Sequence, residues 1–310
     1  MSAPIHQTNS ADVILQETAE SPNSAVEVPR YIPPEIGELI ISSDTNNTYR
    51  IGAQIGEGSF GVVYECTDTW NNDLAIKILK PNGTYEQVRD NAIAEFQKLR
   101  LLRHPNITYV YDAFEYRHTF YIVFERCWKS INEFVQRDTF QGKLWVSAIA
   151  RQLLQAVHFI HCNDYAHQDI HGGNVFVATM RDEMSPDNMI FTYMLGDLGI
   201  AKLATEMNPE NTILADWMRA PESLNTKEFG VMDKRMDIYH CGLLFLQIIL
   251  GKELHFSLDE VLAGKPRELA LQLESPFSFA LEKALRRHVD YRTATALEFW
   301  RDLNSPVDIN

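Results

Sequence analysis

The chain has 310 residues, 45% of them hydrophobic and 23% charged, which is ordinary for a globular protein that buries one large core or divides into two lobes. Its net charge of −14 and pI near 5.1 argue against a nucleic-acid partner, whose docking surfaces need clustered Lys and Arg. No apolar run reaches the ~20 residues of a membrane-spanning helix, and Cys66, Cys127, Cys162 and Cys241 are scattered without a C-x-x-C pair, so neither membrane insertion nor a zinc or disulfide framework is expected.

Residues 1 to 30 are polar and lack a sustained hydrophobic period. Over residues 1 to 45 seven acidic groups (Asp12, Glu17, Glu20, Glu27, Glu35, Glu38, Asp44) face one basic residue, Arg30. We expect an acidic tail without fixed structure over 1–45, able to carry a motif for a partner. Pro33-Pro34 and the run Glu38 to Ser42 suggest a short strand or packing segment ahead of the domain. No basic segment followed by an apolar core opens the chain, and Met1-Ser2 lacks the glycine of a myristoylation signal. A cytoplasmic protein is expected, with export as an effector into another cell's cytosol as the alternative.

From Tyr49 the pattern is strand-like: Tyr49 to Ile55, a glycine-rich turn, Val62 to Cys66, a turn at Asn71-Asn72-Asp73, and Leu74 to Leu79. Tyr85 to Arg103 places Val88, Ala92, Phe96, Leu99 and Leu102 at helical spacing. Strands around Thr108–Phe114 and Phe120–Phe124 complete a small antiparallel sheet with one helix. Beyond Glu125 the pattern turns helical, at Ile131–Gln136, Leu144–Cys162, Asp237–Leu250, Pro276–Arg287 and Thr293–Leu303, with short strands beside 166–174. The fold class expected is α+β and bilobal: a β-rich lobe over 46–125, a hinge at 126–130, a helical lobe over 131–303 and a short tail at 304–310.

Chemistry concentrates in a few stretches. Gly56-Glu57-Gly58-Ser59-Phe60-Gly61-Val62-Val63 is G-x-G-x-x-G-x-V between two strands; taken alone it is equally a tight β-turn, but its glycines allow backbone amides to close over phosphates. Lys77 sits between Ile76 and Ile78 in an apolar strand, and Glu95 lies on the helix face shared by Ala92 and Leu99. An inward Lys beside an inward Glu suggests an ion pair, although each alone reads as a solvated side chain. In Ala166-His167-Gln168-Asp169-Ile170-His171-Gly172-Gly173-Asn174, Asp169 and Asn174 have the spacing of a proton-accepting carboxylate and an oxygen ligand for Mg²⁺. Asp197, in Leu195-Gly196-Asp197-Leu198-Gly199, supplies a second such ligand. Arg219-Ala220-Pro221-Glu222 follows, and Asp237 opens a helix, where it could be a plain N-terminal helix charge.

In this order the six elements resemble the eukaryotic-type protein kinase family over Tyr49 to about Leu303. The resemblance implies an ATP-dependent, Mg²⁺-using transferase acting on protein Ser or Thr. It implies that Lys77 meets the α and β phosphates and pairs with Glu95, that Asp169 is the catalytic base, and that Asn174 and Asp197 hold Mg²⁺. Ile55, Gly56, Gly58 and Gly61 would cover the nucleotide. Val63, Ala75 and Phe176 look like the residues that sandwich adenine, Phe124 like the gatekeeper, and Glu125 and Cys127 like the hinge positions. Leu99, Val110, Leu198 and His167 resemble the regulatory spine anchored by Asp237, and Arg292 the arginine that pairs with Glu222.

The departures fall on the substrate side. Gln168 replaces the arginine before the catalytic aspartate, His171 the lysine two residues after it, and Ala215 a threonine near A-P-E, while the stretch between Asn174 and Asp197 is longer than usual and suggests a long hairpin around 181–188. His171, counted among the catalytic candidates, is expected to face Asp169 and to supply a positive charge only when protonated. His167-x-Asp169-x-His171-x-x-Asn174 also resembles the loop of aminoglycoside and choline kinases, which makes a small-molecule phosphotransferase the first alternative and a pseudokinase scaffold the second. Oligomeric state is not legible in the sequence.

Overall fold

A computed structural model describes residues 32–305 apart from 59–60, 82, 138–139, 186, 200, 208–218 and 275. The tail before residue 32, the C-terminal segment after 305, Thr212 and Ala215 lie outside the described residues.

The amino-terminal lobe is one antiparallel sheet. In chain order its strands are β1 (Leu39–Ile41), β2 (Thr48–Glu57), β3 (Gly61–Thr67), β4 (Asp73–Leu79), β5 (Val110–Tyr116) and β6 (Thr119–Glu125), arranged β1-β2-β3-β4-β6-β5. Alternation builds the core: Ile40, Tyr49, Ile51, Val62, Ile76, Ile78, Tyr121 and Val123 are buried together. Tyr49 stacks on Phe114 with centroids 5.8 Å apart, and its hydroxyl donates to Asp112 Oδ2 at 2.9 Å.

The single helix α1 (Tyr85–Leu101) starts at a capping box in which Thr84 accepts Gln87 N–H and the Gln87 side chain accepts Thr84 N–H. Val88, Ala92, Glu95 and Leu99 face inward at helical spacing, so the element that buries the apolar stripe also buries one carboxylate.

The expected boundary at 45/46 moves toward the amino terminus. Leu39 to Ile41 pairs with β2 and buries Ile40 completely, and Thr45 Oγ1 donates to Asp112 Oδ2 at 2.6 Å. One buried residue in an alternating triplet suffices to extend a sheet edge, although the surrounding sequence is acidic.

The hinge is shorter than expected. Trp128 N–H donates to Val177 O at 2.8 Å, and Lys129–Ser130 already forms β7 in the second lobe, so residues 126–128 alone join the lobes. The Arg126 guanidinium ties this link to Asp73 and Glu65 on neighbouring strands.

The second lobe contains α2 (Ile131–Val135), α3 (Gly142–Cys162), β8 (Tyr165–Ala166), β9 (Val175–Arg181), β10 (Met189–Leu195), β11 (Lys202–Leu203), α4 (Pro221–Leu224), α5 (Thr226–Phe229), α6 (Arg235–Leu250), α7 (Leu258–Ala263), α8 (Lys265–Leu271), α9 (Ser278–Ala284) and α10 (Ala296–Asn304). β10, β9 and β7 form one small sheet, and β11 pairs with β8. The long hairpin is present: β9 and β10 pair from Val175 with Leu195 to Arg181 with Met189, leaving residues 182–188 as its tip.

Helix ends shift by a few residues for local reasons. α3 begins at Gly142, where a Cβ would stand 1.7 Å from Ile248 O, so only glycine lets α3 meet α6 this closely. α9 is shorter than the expected 276–287, and α10 starts after Thr295, whose side chain accepts Glu298 N–H. Among the described residues no helix is long and apolar enough to cross a membrane.

Candidate active site

A cavity of about 390 Å³, the size of a small-ligand pocket, lies between the lobes. Its walls include Ile55, Gly56, Gly58, Gly61 and Val63 from the glycine-rich turn, Ala75 and Lys77 from β4, Phe124, Glu125 and Cys127 from β6 and the link, and Phe176, Asn174 and Asp197 from the second lobe. Every residue expected to contact the nucleotide therefore lines one space. At Gly61 a Cβ would lie 2.7 Å from Ile78 O, so this glycine keeps the turn pressed on β4.

Lys77 reaches the cavity from an otherwise apolar strand. Its Nζ donates to Glu95 Oε1 at 2.9 Å and to Asp197 Oδ1 at 3.1 Å. Burial alone would push the ammonium down, but Asp197 and Glu95 outweigh it and hold Lys77 above its ordinary value, so it stays charged. The Asp197 carboxyl is pushed up by burial and pulled further down by Lys77, ending below the usual carboxylate range. Asp197 adopts φ 56°, in the left-handed region that side chains avoid, and its neighbour Gly199 donates N–H to Oδ1 at 3.4 Å.

The loop at 167–174 is held from below and from the side. Asp237, fully buried at the start of α6, accepts the N–H groups of His167 and Gln168 at 2.8 Å each and meets His161 Nε2 at 2.8 Å. His167 Nε2 donates to Gly196 O at 3.0 Å while its Nδ1 accepts Asp169 N–H at 3.2 Å, which couples this loop to the one carrying Asp197. Asn174 Nδ2 donates to Asp169 O at 3.0 Å and to Asp169 Oδ2 at 2.9 Å, fixing both side chains.

Asp169 and His171 stand beside the cavity rather than in its wall. Burial pushes the Asp169 carboxyl up, but the His171 hydrogen bond and the field of His171, His167 and His240 bring it below its ordinary value. It is ionised at neutral pH and can accept a proton. His171 Nε2 lies 3.7 Å from Asp169 Oδ1, and its Nδ1 accepts Gly173 N–H at 3.0 Å. Both ring nitrogens are thereby directed, one by the turn at Gly173 and one toward the Asp169 carboxylate.

Two further expected groupings are present. Arg292 binds Glu222 through two bonds of 2.6 and 2.7 Å with both side chains fully buried, and its guanidinium lies 4.9 Å from the Tyr239 ring centroid. Leu99, Val110 and Leu198 pack in one apolar cluster spanning both lobes.

Sequence reasoning missed Glu57, Thr108, Ser130, Glu133 and Gly173 in the cavity wall. Ser130 and Glu133 carried a signal, because S-x-x-E is a capping box and they form one at the start of α2. Thr108 had none: it arrives through a pairing of its N–H with Leu195 O, far away in the chain.

Among the described residues no group of three or more His, Cys, Asp and Glu could hold a metal. The cleft instead offers the Asp197 carboxylate and the amide oxygen of Asn174. Because Asn174 Nδ2 is committed to Asp169, that oxygen is turned away from the pair; two oxygen donors suit a hard cation that shares its shell with phosphates.

A family model described as a protein kinase domain matches residues 49–292. The chain is 27% identical over 253 residues to human "Cyclin-dependent kinase-like 5", covering 76% of this chain and 24% of that protein. It is 28% identical over 236 residues to "Serine/threonine-protein kinase TAO2" of Xenopus laevis, with coverage of 74% and 22%, and 29% identical over 267 residues to "Serine/threonine-protein kinase TAO3" of Rattus norvegicus, with coverage of 83% and 28%. The chain thus spans about a quarter of the length of these relatives.

Proposed function

The chain belongs to the protein kinase family, and from that premise we propose that it transfers the γ-phosphate of ATP to Ser or Thr hydroxyls of protein substrates. The observation that carries the proposal is the Lys77 ammonium, fixed between Glu95 and Asp197 at the wall of the cleft. A buried cation with two carboxylate anchors is placed to draw the α and β phosphates into one position. Asp169 orients the attacking hydroxyl and accepts its proton, while Asn174 holds the Asp169 carboxylate still. Asn174 and Asp197 are the residues that would hold Mg²⁺. Held there, Mg²⁺ would supply charge neutralisation for the phosphate oxygens.

The small-molecule phosphotransferase reading is disfavoured by the relatives, which are named as protein kinases where a substrate class is printed, and by the buried pair that Glu222 of the A-P-E segment makes with Arg292. The scaffold reading is disfavoured by Lys77, Asp169, Asn174 and Asp197 all standing in bonded positions. The cytosol is the compartment this activity suits.

Incubation with γ-labelled ATP and Mg²⁺ on a protein panel and on a metabolite panel tests the proposal. Label on protein Ser or Thr is the expected result. Label confined to metabolites, or no turnover on either panel, overturns it.

A further inference from the structure

Away from the cleft a second cavity, of about 230 Å³, opens beside α8 and the segment joining α9 to α10, walled by Arg267, Arg286, Arg287, His288 and Tyr291. The chain carries 28 basic against 42 acidic side chains, so three guanidiniums around one cavity run against its overall sign.

Their convergence is built into the fold. Glu282 on α9, 4% exposed, accepts Arg267 Nε at 2.6 Å and the Nε and NH2 of Arg286 at 3.1 and 3.0 Å, so one buried carboxylate draws two arginines from different elements together. Arg286 NH1 donates to Tyr291 O at 3.1 Å, so Arg286 contributes its charge and the forks for a ligand are those of Arg267 and Arg287. Burial pushes the Glu282 carboxyl up, and Arg286 and Arg267 pull it below its ordinary value, so it is charged. Arg287 is held by a carbonyl and a ring: NH1 donates to Leu262 O at 2.6 Å, and the guanidinium lies 5.6 Å from the Phe229 centroid. Three positive groups against one negative leave an excess of two positive charges. The nearby carboxylate of Asp290 is paired with Arg235 at 3.3 Å.

We propose that this cavity binds a phosphate monoester carried on a protein segment, a phosphoserine or phosphothreonine. Planar guanidinium forks match phosphate oxygens in pairs, which neutral or ammonium side chains cannot do. The space is little more than half that of the nucleotide cleft, enough for a phosphate and the side chain bearing it. At the rim Tyr291, 67% exposed, and His288 set their rings 5.9 Å apart, an apolar surface for the flanking residues of a peptide. The choice of ligand rests on the proposed activity, which makes this chemical group, so the enzyme can hold its own product at a distance from the cleft.

The test is fluorescence anisotropy of the full chain, without ATP, against a fluorescein-labelled phosphoserine and phosphothreonine peptide library, with the unphosphorylated library, inorganic phosphate and phosphoinositide vesicles as further arms. Two variants accompany it. Arg267→Gln weakens the cluster, and His288→Glu places a negative charge at the rim without touching the Glu282 pairs. Each is expected to weaken phosphopeptide binding by about tenfold or more, the loss of one charged contact. Equal binding of the unphosphorylated library, undiminished binding in both variants, inorganic phosphate binding as tightly as the peptides, or binding to vesicles alone would each overturn the site. Phosphopeptide binding that persists in a chain with no transferase activity leaves this site standing and removes the proposed function instead.

Discussion

The carboxylate of Asp237 accepts the backbone N–H of Gln168 at 2.8 Å, and Gln168 holds φ at 70°, in the left-handed region. Such a conformation costs about 1–3 kcal/mol and persists only where its surroundings impose it. Asp237 imposes it here, with a second bond to His167 N–H and none of its own surface exposed. Asp237→Asn turns an amide donor toward one of those N–H groups. The expected loss is about 1.5–3 kcal/mol for each charged hydrogen bond broken, read from urea unfolding. Gln168→Gly relieves that strain but gains unfolded-state entropy of about 0.4–1 kcal/mol, so the backbone terms should leave stability unchanged or raise it by up to about 2.5 kcal/mol. In the double variant the two effects should add to less than their sum. A Gln168→Gly variant destabilised as much as Asp237→Asn would show that the side chain, not the backbone, is what Asp237 protects.

Removing Asp197 and removing Lys77 should both stop transfer, but with different consequences for the fold. Asp197→Ala takes away the carboxylate proposed to hold the metal, a side chain about one-third exposed, so the rate should fall by about 10²–10⁴ with little change in thermal midpoint. Lys77→Ala leaves Glu95, 6% exposed, as a buried carboxylate without its cation, and should lower the midpoint as well. Near-wild-type turnover by the Asp197 variant contradicts its assigned role.

Most of this site was legible because its chemistry is local in sequence. Glycine spacing, a lysine within an apolar strand and a glutamate at i−3 and i+4 from buried residues each leave a mark on a short window; the cleft collects the glycines and the lysine, and the glutamate is bonded to that lysine. What was not legible depends on distant partners. Thr108 enters the wall through Leu195, and the edge strand at Leu39–Ile41 exists because β2 is there to receive it. His171 shows the same limit at one side chain: its position next to Asp169 was readable, but the backbone N–H two residues on that its Nδ1 accepts is a contact no spacing rule reports.

Glu125 provides a pH test. Burial raises its carboxyl above the ordinary value, against the pull of the Tyr109 N–H that it accepts. A raised folded-state value means a stabilising contribution fully present below the unfolded value of ~4.3 and lost as pH rises through the raised one. At neutral pH the ionised Glu125 therefore costs stability. Glu125→Gln keeps an oxygen for Tyr109 N–H and cannot ionise, so it should raise the urea midpoint at pH 7 and have no such effect near pH ~3. An equal gain at both values would place the cause in packing.

Activity should not depend on phosphorylation of the segment before Arg219. A phosphate there would need a cation beside the catalytic aspartate, and Gln168, buried and neutral, offers none. Phosphatase treatment is expected to leave the transfer rate within about twofold, well under the tenfold that 1.4 kcal/mol represents. A large loss restored by rephosphorylation would show that another residue supplies the charge.

The role of His171 separates two chemistries that share its position. A charge at this point would bridge Asp169 and the transferred phosphate, as a lysine would. The ring also has a second contact that a lysine lacks: Nδ1 accepts Gly173 N–H at 3.0 Å, while Nε2 faces Asp169 Oδ1 at 3.7 Å. Gly173 is close enough that a Cβ there would lie 2.8 Å from His171 Cε1, so ring and backbone are packed as one unit. The contribution of His171 is then an acceptor that fixes the turn before Asn174 and a donor toward Asp169. Asparagine can supply the acceptor and an amide donor, leucine supplies neither, and lysine supplies charge without an acceptor. Loss of a buried hydrogen bond costs about 1–3 kcal/mol, or about 5- to 150-fold in rate if the turn must be held for transfer. His171→Asn should retain most of the turnover at saturating ATP, while His171→Leu and His171→Lys should fall together. A lysine variant as fast as wild type, with asparagine as slow as leucine, would restore the cationic role and assign Gly173 N–H to another partner during catalysis.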